Sequence, residues 1–219
     1  MAVIQANPNA YGKRKVAVFH TEPEQRDVMG YTLTAQAAGD VIEQGTPILA
    51  NDNDTNGRKT AVICKYAKIK SKTSTTKFVL EDVAYLKVGD KIYKSGQDSP
   101  TLSTISAINA ETGEITLSAA NSQFAAGDIV LEGKTVEVSG GEGAPSGDTP
   151  VSVVVPVSVP NRIVLRTEKL TANNKTISAT HRAVAIKNVL DYPAEYLNES
   201  SFPGSCLLKG CPLILFINQ

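Results

Sequence analysis

The run that comes nearest to a ligand site is Asp52-Asn53-Asp54-Thr55-Asn56-Gly57. Oxygen ligands at alternate positions before a glycine turn make the first half of a calcium loop. The twelfth position, however, is Ile63, where a bidentate glutamate is required, and no helical pattern flanks the run. The run reads instead as a turn between strands, a place that Asn, Asp and Gly fill through local hydrogen bonds and left-handed backbone. No metal is expected. Nucleophilic catalysis would need a thiol or hydroxyl beside a base. The chain has three cysteines, Cys64, Cys206 and Cys211, and two histidines, His20 and His181. Cys206 and Cys211 are five apart, which is neither a redox nor a zinc spacing. All three read as small apolar core residues. His20 follows Val16-Ala17-Val18-Phe19 and reads as a strand end. A cysteine hydrolase pairing one of these thiols with His20 or His181 depends on contacts that spacing does not give.

The remaining chemistry is thinner. Carboxylates adjoin in Glu22-Pro23-Glu24 and Glu81-Asp82. Glycoside cleavage needs two carboxyls facing across a cleft, usually with aromatic platforms, and here Trp is absent and aromatics make up 5%. Gly140-Gly141-Glu142-Gly143 has no strand-to-helix context, so it is no dinucleotide or phosphate loop. No catalytic residue and no cofactor is expected.

The elements that would position any site are strands. No stretch of 11 or more residues carries apolar side chains at helical spacing. Ala61–Cys64 and Phe78–Leu80 are short β-type runs. Glu114–Ala119 alternates strictly, and Ile105–Ile108 precedes it across Asn109-Ala110-Glu111-Thr112-Gly113. Gly113 tolerates positive φ, so the two predict a β-hairpin. Arg162–Arg166 and Lys175–Ser178 are expected to pair around Asn173-Asn174. Leu213–Ile217 reads as a strand buried on both faces. Gly-Asp before an apolar strand start occurs three times, at Gly39-Asp40, Gly89-Asp90 and Gly127-Asp128. Glycine permits the reversal and the aspartate is expected to bind the following amides. The fold class is all-β, of small barrels or sandwiches.

The 219 residues hold 22 Lys and Arg against 22 Asp and Glu. Zero net charge argues against a general nucleic-acid binder. The balance hides an asymmetry: residues 58–94 hold ten basic and three acidic side chains, residues 95–160 one and eight. Lys68, Lys70 and Lys72 alternate, so a regular strand would put all three on one face. That face would meet a polyanion or a neighbouring subunit, or lie solvated opposite the acidic residues of the same fold. The last is the simplest reading, since exposed charge pairs contribute little. The longest apolar run, Leu213–Ile217, falls far short of the roughly 18–20 residues that span a bilayer, so no membrane partner is expected. The start shows no secretory pattern, and reduced thiols in a bacterial cytoplasm follow.

Residues 140–150 are rich in Gly, Pro and Ser and read as a linker. After them come Val151, Val153, Val154, Val155, Val157 and Val159, broken by Pro156 and Pro160. Valine favours extended backbone and proline cannot donate to a ladder, which fits an edge strand or an arm. Such a strand needs cover, and a neighbouring subunit would supply it. Val153, Val155, Val157 and Val159, with Lys68, Lys70 and Lys72, are therefore the candidate subunit contacts.

Two separated stretches are similar to the head decoration and head-fibre proteins of tailed bacteriophages. The first is Ala38-Gly39-Asp40-Val41-Ile42-Glu43-Gln44-Gly45-Thr46-Pro47-Ile48-Leu49-Ala50, a turn, an apolar pair, then Gly-Thr-Pro and a strand. The second is Ala183 to Pro193 followed by Gly204-Ser205-Cys206-Leu207-Leu208-Lys209-Gly210, a strand pair ending at glycine. The resemblance implies a β base from residues 1–65 and 151–219, joined through the 140–150 linker to an inserted antiparallel β-domain, barrel-like, at 66–139. It implies a non-enzymatic protein on the outer face of a phage or prophage capsid, made in the host cytoplasm and not secreted. Its partners would be the major capsid protein and two further copies in a homotrimer. The N-terminal arm would lie on the shell, with Val3, Asn7, Tyr11, Lys13, Arg14 and Lys15 as candidate capsid contacts. A projecting insert would alternatively bind a host-surface glycan.

Overall fold

The computed structural model describes residues 18–19, 30–52, 59–83, 85–138, 151–173 and 175–217. The protein is all-β: among the described residues, regular structure is strand apart from one helical turn, α1 (Lys187–Leu190), and a 3-10 turn at Ala194–Tyr196. The chain divides into two compact units, Met1–Cys64 with Val159–Gln219, and Lys65–Ser158.

The first unit opens with β1 (Val18–Phe19), β2 (Tyr31–Leu33), β3 (Val41–Ile42), β4 (Pro47–Asn51) and β5 (Thr60–Ile63). The second unit contains β6 (Tyr66–Lys72), β7 (Lys77–Leu80), β8 (Lys91–Lys94), β9 (Ser103–Asn109), β10 (Glu114–Leu117), β11 (Ile129–Val138) and β12 (Val151–Pro156). The chain then returns to the first unit with β13 (Arg162–Val164), β14 (Glu168–Lys169), β15 (Thr176–Ile177), β16 (Ala179–Thr180), β17 (Ala183–Ile186), β18 (Leu197–Glu199), β19 (Cys206–Leu208) and β20 (Cys211–Ile217).

In the first unit, strands from both ends of the sequence share sheets. One sheet runs β15-β2-β5-β4-β13-β16, another β1-β17-β20-β19-β18, and β14 pairs β3. Asn161 reinforces the junction: its side-chain oxygen accepts the Ala50 amide at 2.8 Å and its side-chain nitrogen donates to the Ala50 carbonyl at 2.9 Å. One side chain thus imitates a strand neighbour. Gly210 presses on the same place, since a Cβ there would lie 2.4 Å from the Pro160 carbonyl.

In the second unit six strands close on themselves. The order β11-β6-β7-β10-β9-β8 returns to β11, antiparallel throughout. Ile69, Phe78, Ile92, Ile105, Ile115, Phe124 and Val130 fill the interior, each contributing about 1.5–3 kcal/mol by leaving water. Phe78 and Phe124 meet edge to face, 5.5 Å between centroids. Closure leaves the barrel no strand edge.

The predicted hairpin is present, with Glu114 opposite Asn109. Gly113 has φ +72°, and Asn109 Oδ1 accepts the amides of Glu111 and Thr112. The three Gly-Asp sequences form one repeated clasp. Gly39, Gly89 and Gly127 have φ of +98°, +94° and +88°. Their amides donate to the carbonyls of Leu170, Ile105 and Ile69, whose own amides donate back to the carbonyls of Asp40, Asp90 and Asp128. Each carboxylate accepts an amide three residues earlier, from Ala37, Lys87 and Ala125 at 2.7–2.9 Å. The expectation had it binding following amides; the turn curls back, so preceding ones come within reach.

Other expectations need correction. The Arg162–Arg166 run does meet the end of the Lys175–Ser178 run and the strand that follows it, the Leu165 amide donating to the Ser178 carbonyl at 2.9 Å and β13 pairing β16, but Thr176–Ile177 at the start of that run pairs β2 instead. Leu213 is 55% exposed, so the last strand is not buried on both faces. Val151–Pro156 pairs with β11 and falls in the 65–158 unit, not in the base. The 140–150 linker lies outside the described residues.

Candidate functional site

The lysine strand does not present a basic face. A bulge between Ile69 and Ser71 shifts the register of β6 on β7, and an extra residue reverses which side the following side chains take. Lys72 consequently falls opposite Phe78; its Nζ donates to the Phe124 carbonyl at 2.8 Å and sits 5.6 Å from the Phe78 ring centroid. Lys68 is half-buried and Lys70 exposed. Bonds cross from the basic to the acidic segment: Lys77 to Glu114, Lys94 to Asp128, and Lys65 to Glu132. This favours the reading of charges matched within one fold.

Lys65 escaped notice in the sequence, one more lysine in a basic stretch. Its Nζ lies 2.8 Å from Asp90 and 3.2 Å from Glu132. Burial by itself pulls the amine down, but the hydrogen bond it donates to Asp90 and the charge of Glu132 outweigh it. Lys65 is held above the ordinary lysine value. The cluster fastens the β6 end of the barrel to the clasp at Asp90.

The valines form a ribbon. Beyond Glu132, the stretch Gly133–Val138 pairs with β12, Val136 opposite Val153 and Val138 opposite Val151. Val136, Val138, Val151, Val153 and Val155 therefore share one face. Val138 and Val151 are 50% and 62% exposed. Of the expected subunit contacts, Val153 and Val155 lie on this face. Val157 follows the strand, its amide donating to the Glu132 carbonyl, and Val159 belongs to the other unit. The six expected capsid contacts between Val3 and Lys15, with His20 and residues 53–57 of the Asp/Asn run, lie outside the described residues.

A second apolar feature sits in the first unit. Phe202, Pro203, Gly204, Ser205, Leu215 and Ile217 line an open cleft of about 340 Å³, and Phe202 is 65% exposed. Beside it Lys187 Nζ donates to Cys206 Sγ at 3.1 Å. The Cys211 thiol donates to the main-chain carbonyl of His181 at 3.0 Å, so that approach is to backbone rather than to the ring. Cys64 is fully buried. Asp52 accepts from the Tyr31 hydroxyl at 2.6 Å and pairs with Arg162. Among the described residues no three metal-binding side chains gather, and no helix is long and apolar enough to cross a membrane.

The stretches 38–50 and 183–193 meet. Gly45, with φ +77°, backs onto Leu190, whose Cδ2 would lie 2.5 Å from a Cβ at that position. The Tyr192 hydroxyl donates to the Gly45 carbonyl, and the Tyr192 ring packs on Phe216 and Tyr196. This joint was not readable beforehand, although Gly45 and Tyr192 both lay within the quoted stretches. Compared with known protein families, curated proteins and solved structures, the chain finds no match.

Proposed function

We propose that this chain is a non-enzymatic structural protein of a phage or prophage particle, carried on the outer face of the capsid with the major capsid protein as its partner. One observation carries the reading. The two stretches similar to head decoration proteins, more than a hundred residues apart, pack on each other through Gly45, Leu190 and Tyr192. Their packing in one unit, with the barrel as the other, supports reading them as parts of one base. The exposed apolar surface also suits a protein that works by contact. The valine ribbon and the open cleft at Phe202 offer area to a macromolecule, and a symmetric shell multiplies weak contacts of that kind.

The test is peptide mass spectrometry on purified phage particles induced from the source strain. The proposal expects this polypeptide at a copy number comparable with that of the major shell protein. A few copies per particle would indicate a tail or vertex fibre. Absence from particles, with the protein abundant in the lysate, would end the virion reading.

A further inference from the structure

The barrel closes every strand edge it has, and then the chain makes a new one. From Gly133 to Val138, β11 continues with β12 as its neighbour. Among the described residues β12 is the last strand of its sheet. Which of its groups face outward follows from one bond. The Val157 amide donates to the Glu132 carbonyl at 3.1 Å, so the ladder alternation turns Val155, Val153 and Val151 toward β11. Ser152, Val154 and Pro156 turn their main-chain groups the other way.

Among the described residues no strand pairs with that outward edge. Exposed edges are blunted by charged side chains, bulges or covering segments, yet residues 151–160 contain no charged side chain. Proline provides the only punctuation. Pro156 has no amide hydrogen to offer at the end near the barrel, and the sequence places Pro150 just before the strand. Between them stand two complete donor–acceptor residues, Ser152 and Val154. The occupant that fits them must itself be a strand with two donors and two acceptors at a spacing of two. The strand matches itself.

We propose that β12 pairs edge to edge, antiparallel, with β12 of a second copy of this chain, with Val153 on the twofold axis. Ser152 of each copy then faces Val154 of the other, and each pair exchanges both of its bonds, giving four in all. A register shifted to either side would put a proline opposite Ser152 or Val154. The pairing is isologous, as a twofold contact must be. It keeps the faces in step, so Val151, Val153 and Val155 of both copies join Val136 and Val138 in one mostly apolar surface spanning four strands, with Lys134, opposite Val155, at its barrel end. An isologous contact makes pairs and not rings of three, so it is separate from any threefold arrangement on a shell. It rests on the strand geometry and does not depend on the virion reading.

The test is sedimentation velocity of the full chain from micromolar to millimolar concentration, with three variants. The wild type is expected to pass from monomer to dimer. Val154→Pro removes two of the four bonds without touching the β11 ladder, and dimerisation should weaken about 10- to 30-fold. Val153→Lys and Val153→Glu place like charges on the axis, so each alone should stay monomeric. Mixed in equal amounts they should form a heterodimer. Circular dichroism and an unchanged urea midpoint would show each variant folded. A wild type that stays monomeric throughout would overturn the proposal. So would a trimer, a dimer indifferent to Val154→Pro, or Lys and Glu variants that fail to combine.

Discussion

Between Ile129 and Glu132, β11 has a strand on each side, β6 and β8. From Gly133 to Val138 it pairs with β12. The backbone is continuous and both stretches are rich in β-branched residues, so propensity does not separate them. What separates them is closure. In the barrel stretch Val130 is fully buried in the barrel core, whereas Val138 at the far end is half exposed. A closed barrel satisfies its own amides and buries its own apolar side chains. A two-stranded ribbon does neither, and alone it is marginal in water. The comparison assigns stability to the first region and contact with other molecules to the second.

Mutations should divide along the same line. The largest effect is expected inside the barrel: Phe124→Ala should cost about 3–5 kcal/mol, since the ring is fully buried against Phe78. Urea unfolding of the full chain would measure it, and a loss under about 1 kcal/mol would mean the barrel core is not the stabilising element.

Next comes the barrel's charged fastening. Lys65→Met leaves Asp90 and Glu132 facing each other without a cation and should cost about 2–3 kcal/mol at neutral pH. Because Lys65 is held above its ordinary 10.5, its contribution is present below that pH and is lost as pH rises through the raised value. The gap between wild type and variant in urea midpoint should therefore persist at neutral pH and close in strong alkali. A gap independent of pH would assign the effect to packing of the lysine stem.

Asp128→Ala opens one clasp, removing the acceptor for the Ala125 amide and the partner of Lys94. A loss of about 1–2 kcal/mol is expected, and Asp40→Ala, with the same amide bond from Ala37, should lose about 1 kcal/mol. The smallest change belongs to the ribbon. Val136→Ser should alter the unfolding free energy of dilute protein, read from urea titration, by no more than about 0.5–1 kcal/mol. A larger loss there would make the ribbon part of the barrel's cooperative unit and erase the distinction between the two regions.

Local signals in the sequence transmitted well. The strict alternation of Glu114–Leu117 and the positive-φ glycine at 113 specify a hairpin without help from the rest of the chain. The three Gly-Asp sequences mark three reversals for the same reason. Pairings that depend on distant residues did not transmit. Arg162–Val164 carries nothing to say that its other neighbour is β4, more than a hundred residues away. The bulge at Ile69 and Ser71 has no glycine or other signature, yet it decides the fate of Lys72. As for the candidate site, the valine strand was legible as an edge because proline and valine have positional meaning. Its alignment with β11 was not, because register depends on the partner. The joint between Gly45, Leu190 and Tyr192 is a packing fact, and spacing along the chain carries no record of it.

Hydrogen exchange read residue by residue on the full chain, at low and at high protein concentration, compares the two regions in one experiment. The account predicts slow, concentration-independent exchange for β6, β7 and β10, which sit between two neighbours in the closed barrel. It predicts fast exchange of the Ser152 and Val154 amides in dilute protein, with protection appearing as concentration rises. Equal protection of barrel and ribbon in dilute protein, or Ser152 and Val154 amides that stay fast at every concentration, would contradict it.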